Sequence, residues 1–224
     1  MATNLEEPSY ARAPTATRQE LQLGRRLFHL LNGIAVATAY ALLFTHQQVV
    51  HIFGTIACLV YVVDRVRIAY PEAVERRAAW VNRLLVRAEE QVRESAMIPY
   101  AIAVLLTVLT VPKRAALVGI VVLAVADPLA AVIGIRYGRH RLAHNRSLEG
   151  SLAFFAATCM IAAFVLGWDA SAPAWRLTWT AAAIAVVATI CEALPLRIDD
   201  NLTIPLAVGF TAWIVGALAG LPLT

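Results

Sequence analysis

Charge is sparse in this chain. Asp, Glu, Lys and Arg make up 15% of its 224 residues, where a soluble domain carries about a quarter, which argues against a soluble domain. Cysteine is scarce too: Cys58, Cys159 and Cys191 all fall inside apolar runs without metal-like spacing. They read as small packed hydrophobes, and no disulfide framework is implied. The first 24 residues, MATNLEEPSYARAPTATRQELQLG, lack the short apolar core of a cleavable signal. The expectation is a flexible cytoplasmic N-terminus over 1–24 and one transmembrane domain over 25–224, with the first apolar run retained.

What the chain has instead is apolar sequence, 60% of it, with a mean hydropathy of +0.68. This is concentrated in blocks near the roughly 17–25 residues that cross a bilayer. The expected fold is all-α and polytopic, with about seven transmembrane helices near 27–45, 49–63, 97–111, 115–135, 151–167, 175–194 and 204–221. The runs 49–63 and 97–111 are short for a crossing and are expected to extend into their flanks. In the polar stretch between them, Val74, Ala78, Val81, Leu85 and Ala88 recur at three- and four-residue steps. That pattern predicts a cytoplasmic amphipathic helix at the membrane surface.

Basic residues set the orientation. With the N-terminus inside, segments 1–26, 64–96, 136–150 and 195–203 hold 16 of the 19 Lys and Arg, leaving only Lys113, Arg114 and Arg176 outside. The positive-inside rule then predicts a cytoplasmic N-terminus and an external C-terminus.

Four polar clusters collect at the inner ends of the spans. Asp127 lies within the run 115–135, where an ionised carboxylate costs several kcal/mol unless it meets a cavity, a metal or a partner. Pro128 removes a backbone donor and disfavours helix at the residue before it, so this span is expected to be broken at Asp127-Pro128. A helix cap is the alternative role for Asp127. The loop that follows carries Gly134 and Gly138, Arg136, Arg139, Arg141 and Arg146, His140 and His144, then Ser147, Glu149 and Gly150. Arginines, glycines that permit close backbone approach and the start of a helix suit an anionic ligand such as a polyphosphate. A basic loop facing anionic lipid would explain the arginines alone.

Glu192, Asp199, Asp200 and Asn201 form the third cluster and offer the hard oxygens that Mg²⁺ prefers. Asn201 is also well placed to cap the last helix. The fourth is GRRLFHLLNG, with Arg25, Arg26 and, one turn inside the span, His29, followed by Gly33 on the same face. A histidine at that depth is more often packed than chemical.

Taken in order, these motifs resemble those of the CTP-dependent polyprenol and lipid kinases, which include dolichol kinase, phytol kinase and the CTP-using diacylglycerol kinase. RRLFH stands at the family's Arg-Lys-x-x-His. Arg87 and Glu89 match its Arg-x-Glu region. ADPLAAVIG, YGRH and NRSLEGS follow its Asp-Pro signature, and Glu192 with DDNLTIP its C-terminal motif. The similarity covers roughly residues 20–215. Arg26 and Arg146 stand where the family has Lys, which replaces a compact ammonium with a planar fork.

The resemblance implies transfer of the γ-phosphate of CTP to a membrane lipid alcohol, an isoprenoid alcohol or diacylglycerol, with Mg²⁺ or Mn²⁺. It implies metal-binding or catalytic roles for Asp127, Asp199 and Asp200, and phosphate binding by Arg139, Arg146, Ser147, the loop glycines, Arg25 and Arg26. Glu149 would orient a basic group or a metal-bound water. The partners are the bilayer, its lipid alcohol and a nucleoside triphosphate, with no nucleic acid. A more distant similarity to membrane cytidylyltransferases that make CDP-diacylglycerol gives a second enzymatic reading. A transporter or non-catalytic lipid-binding protein is the reading from another class.

Overall fold

The computed structural model describes residues 15–70, 97–142, 146–168, 172–194 and 200–224. The amphipathic helix expected between Val74 and Ala88, with Arg87 and Glu89, lies outside the described residues, as do His144 and Asp199. The described residues form helices and one isolated bridge: α1 Thr15–Leu42, α2 His46–Ala69, α3 Met97–Thr110, α4 Lys113–Val121, a π-helical turn Val122–Ala126, α5 Asp127–Tyr137, α6 Leu148–Gly167, α7 Ala174–Ala193 and α8 Asp200–Leu218.

Five segments are long and apolar enough to cross a membrane: His46–Val66, Lys113–Tyr137, Leu148–Gly167, Ala174–Ala193 and Asp200–Leu218. Leu30–Leu42 and Tyr100–Thr110 are shorter apolar helices. The distribution of side chains is the reverse of that in a soluble bundle. Most buried positions are small or β-branched, such as Ala115, Ala157, Ala185, Ala188 and Val208, with Tyr40, Phe154 and Leu166 among the exceptions, while Leu152, Met160, Phe164, Trp179 and Ile190 point outward. Close helix packing through small residues, with large apolar groups facing lipid, marks an integral membrane protein. Several threonines inside the helices satisfy their hydroxyls locally, as buried Thr107 does by donating to the Ala103 carbonyl at 2.7 Å, while the buried Thr158 hydroxyl has no hydrogen-bond partner among the described residues.

Lys113–Tyr137 is the central rod, packed by α1, α3, α6 and α8. The break expected at Asp127-Pro128 is not there. Ala126 and Asp127 both have right-handed helical dihedrals, and α5 runs on from the turn before it. The irregularity lies one turn earlier, where the Asp127 N–H donates to the Val122 carbonyl across a π turn. Pro128 cannot donate to Ala124, four residues back, and its ring would crowd that carbonyl. Widening the preceding turn accommodates both and keeps the helix continuous. Gly33 of α1 packs directly on Ala124 of this turn; a Cβ at Gly33 would overlap the Ala124 Cβ. At the next crossing Gly119 meets the Pro205 carbonyl of α8 in the same way.

Helix ends differ from the hydropathy limits where capping decides them. The first span was expected to reach residue 45, but Thr45 and Gln48 form a reciprocal capping box, Thr45 N–H to Gln48 Oε1 at 2.9 Å and Gln48 N–H to Thr45 Oγ1 at 3.2 Å. This starts α2 at His46 and ends α1 at Leu42. The extension expected for the second run is present, since α2 continues to Ala69. The third run ends at Thr110, just before Pro112, and its N-terminal flank lies outside the described residues. At the other end of the chain, α1 begins at Thr15, inside the segment expected to be a polar tail.

Candidate functional site

One end of the bundle gathers the C-termini of α5 and α7 and the N-termini of α6 and α8. Ser147 caps α6, its buried hydroxyl accepting from the Gly150 N–H at 3.1 Å. The glycines around it are required by space. A Cβ at Gly134 would lie 2.9 Å from Ser147 Oγ, and one at Gly138 would lie 2.7 Å from both Ser147 Cβ and Oγ. A Cβ at Gly150 would stand 2.9 Å from the Ala130 carbonyl of α5. These glycines bring α5 against the start of α6, so the close approach they permit is between two helices.

The connecting loop is closed by a bridge between Arg141 and Ser147, with the Leu142 N–H donating to Arg146 at 2.8 Å and the Leu148 N–H to His140 at 2.9 Å. Glu149 holds the loop from the helix side. Its carboxylate accepts from the His140 N–H at 3.2 Å and lies 2.8 Å from His140 Nδ1. The Leu148 and Gly150 N–H groups are therefore already engaged, and a carboxylate occupies the positive end of the α6 dipole. The open helix start expected for phosphate is filled by the chain itself, and an anion arriving here meets arginine side chains.

Arg146 joins the elements of the site. Its guanidinium pairs with Glu192 at the end of α7 and donates to Asp200 Oδ2 at the start of α8, at 2.7 Å. Glu192 is buried and also accepts from Ser151 Oγ at 3.3 Å. Sequence reasoning assigns Ser151 no role, although it closes the motif NRSLEGS; the signal is a hydroxyl one turn inside an apolar run. Two carboxylates on one guanidinium leave this cluster anionic while guanidinium donors remain for a ligand.

Asp127 sits three residues before Ala130, one turn deeper along the seam where α5 meets Gly150. It is half-buried and lies inside the helix, so it is not the cap of a separate half-helix. Asn201 likewise falls within α8, which begins at Asp200, and so does not occupy the capping position. Arg139 and Arg141 are exposed on the loop, and Arg136 stacks over the Tyr137 ring at 5.5 Å. Arg26 is half-buried on α1; Arg25 and His29 lie on the same helix, with side chains outside the described residues. Among the described residues no three His, Cys, Asp or Glu side chains converge as a metal-holding group.

The chain is similar to a protein from Oryza sativa subsp. japonica named probable phytol kinase 1, chloroplastic: 26% identity over 212 residues, covering 88% of this chain and 65% of the rice protein. It is 33% identical over 101 residues to the phytol kinase of Synechocystis sp., covering 44% of this chain and 43% of that one. An uncharacterized protein of Methanocaldococcus jannaschii is 28% identical over 197 residues, covering 84% of this chain and 91% of that protein. The chain thus spans about two thirds of the length of the plant relatives it matches. No family model and no solved structure matches it. The chain is similar to proteins named phytol kinases, in agreement with its motif-level resemblance to the polyprenol and lipid kinases.

Proposed function

We propose that this protein is a membrane kinase that transfers the γ-phosphate of CTP to the hydroxyl of a lipid alcohol, with an isoprenoid alcohol such as phytol as the substrate class. One observation carries the reading: Arg146, in the motif shared with the lipid kinases, binds Glu192 and Asp200 at the end of the bundle where four helix termini meet. The names of the relatives supply the alcohol class. The acceptor's tail lies in hydrocarbon and its hydroxyl at the bilayer surface, so a site at the helix ends reaches both the alcohol and a soluble nucleotide. The positive-inside asymmetry of the sequence supports placing this end, and the N-terminus, in the cytoplasm.

In the reaction the alcohol oxygen attacks the γ-phosphorus, the bond to the β-phosphate oxygen breaks, and CDP leaves with its charge neutralised. Most of the work is positioning and stabilising charge on the phosphate oxygens. Arg146 and Arg139 hold phosphate oxygens, and Glu192 and Asp200 fix the plane of the Arg146 fork. Ser147 and the three glycines set the height of the loop above α5, and Glu149 anchors that loop through His140. Asp127 accepts the hydroxyl proton or holds the cation, one turn below the loop. The oxygen donors of Asp127, Asp199 and Asp200 suit Mg²⁺ that arrives on the nucleotide and takes one or two protein carboxylates. When bound, that ion supplies charge neutralisation at the phosphates.

The test uses purified protein in detergent with phytol and CTP labelled on either the α- or the γ-phosphorus. Label from the γ position should move to the lipid while α label stays in CDP. Transfer of the α label with release of pyrophosphate would replace this reading with nucleotidyl transfer.

A further inference from the structure

The basic residues left over from the orientation rule, Lys113, Arg114 and Arg176, lie at the end of the bundle opposite the candidate site. Two of them stand at the mouth of a cavity of about 440 Å³ between α1, α4 and α6. Its walls include Ala37 and Leu42 of α1, Leu117 and Val121 of α4, and Phe164 and Trp168 at the end of α6.

Each cation is held by neutral oxygens. Lys113 Nζ donates to the Ala41 and Phe44 carbonyls at 3.3 and 3.4 Å and lies 5.4 Å from the centre of the Tyr40 ring. Arg114 donates to the Trp168 carbonyl. These contacts cap the carbonyls at the ends of α1 and α6. They engage carbonyl dipoles at the ends of two different helices, and among the described residues no carboxylate side chain pairs with either cation; Thr224 also lines the cavity. Asp169, the one acidic residue in the sequence segments that meet at this end, lies outside the described residues.

The surroundings of the cavity fit a headgroup. Trp168, Trp175 and Trp179 are all exposed at this end, as aromatic residues are at a membrane–water interface. Apolar walls run inward from the two cations along Leu117 and Val121. An anion with an acyl chain satisfies both parts; a free phosphate would leave the apolar part empty.

We propose that this cavity is a binding site for an anionic phospholipid, its phosphate on Lys113 and Arg114 and the start of one acyl chain between α1 and α6. The site is separate from the one proposed for phosphoryl transfer and stands whether or not that reading holds, because its readout is lipid retention. A lipid seated here ties the ends of α1 and α6 to the start of the central rod.

The experiment reconstitutes the full chain into phosphatidylcholine nanodiscs with and without phosphatidylglycerol, then releases it for native mass spectrometry under graded delipidation. Phosphatidylglycerol should be retained over phosphatidylcholine, and K113Q/R114Q should weaken that retention by about tenfold or more. R176Q, which removes a charge at the same membrane face but outside this cavity, should leave retention unchanged. K113R/R114K should keep it, and Ala41→Trp, which fills the cavity and leaves both cations, should lose it. Equal retention of the two lipids, or undiminished retention in a folded K113Q/R114Q or Ala41→Trp protein, would overturn the proposal. So would displacement of phosphatidylglycerol by inorganic phosphate, which would make this a site for a soluble anion.

Discussion

The Arg146 guanidinium donates to Asp200 at 2.7 Å, although 54 residues separate them in the chain. That bond, with the pair to Glu192 on the same guanidinium, ties the loop before α6 to both helices that follow it. The effect of this bond on stability and its proposed effect on turnover can be measured apart.

Arg146→Ala should destabilise the fold as well as the reaction. It leaves Glu192 buried without its cation, and removing one partner of a buried pair costs about 3–5 kcal/mol. Because Arg146 is 21% exposed and Asp200 43%, the expected loss is smaller, about 2 kcal/mol. Adding Glu192→Gln should restore part of it, and the double-mutant cycle in thermal or denaturant unfolding measures the coupling. Additive losses would mean that the two side chains do not support each other.

Asp127→Asn should keep the fold and lose the chemistry. Asp127 lies inside a continuous helix, so a capping role cannot account for it. Asparagine keeps its size and removes the anion. Turnover should fall by about 10²-fold, the scale for a single electrostatic group, with an unchanged melting temperature. Near-normal turnover would remove Asp127 from the site.

Gly138→Ala should be more damaging than Ser147→Ala. The new Cβ would stand 2.7 Å from Ser147 Cβ and would also strike the Gly134 carbonyl, an overpacking that costs about 1–3 kcal/mol. Ser147→Ala removes only the cap of α6, about 1 kcal/mol. Unfolding midpoints of the two variants in matched detergent check the order. The reverse order would mean that the helix seam is loose enough to absorb a methyl group.

Orientation can be tested with cysteine labelling. With Cys58, Cys159 and Cys191 replaced, a cysteine at Arg141 should be shielded from an impermeant thiol reagent in intact cells, and one at Thr224, which is exposed, should react. Labelling at Arg141 without lysis would place the candidate site on the outer face.

The sequence by itself determined the all-α membrane class, because hydropathy over twenty residues is a local property that bilayer thickness converts directly into spans. It also marked the residues of the candidate site through Asp127-Pro128, NRSLEGS and DDNLTIP, since polar groups stand out where hydrocarbon penalises them. The capping box of Thr45 and Gln48 was equally local and legible in principle. The rest depended on what packs against what. Pro128 disfavours helix when considered alone, but a π turn seated on Gly33 absorbs it at a packed crossing. The loop glycines suggest an open cradle when considered alone, but they hold α5 against α6. Only the tertiary structure decided that Arg146 meets Glu192 and Asp200, because contacts between residues so far apart in the chain follow from the order of helices in the bundle. No pattern of neighbouring residues encodes that order.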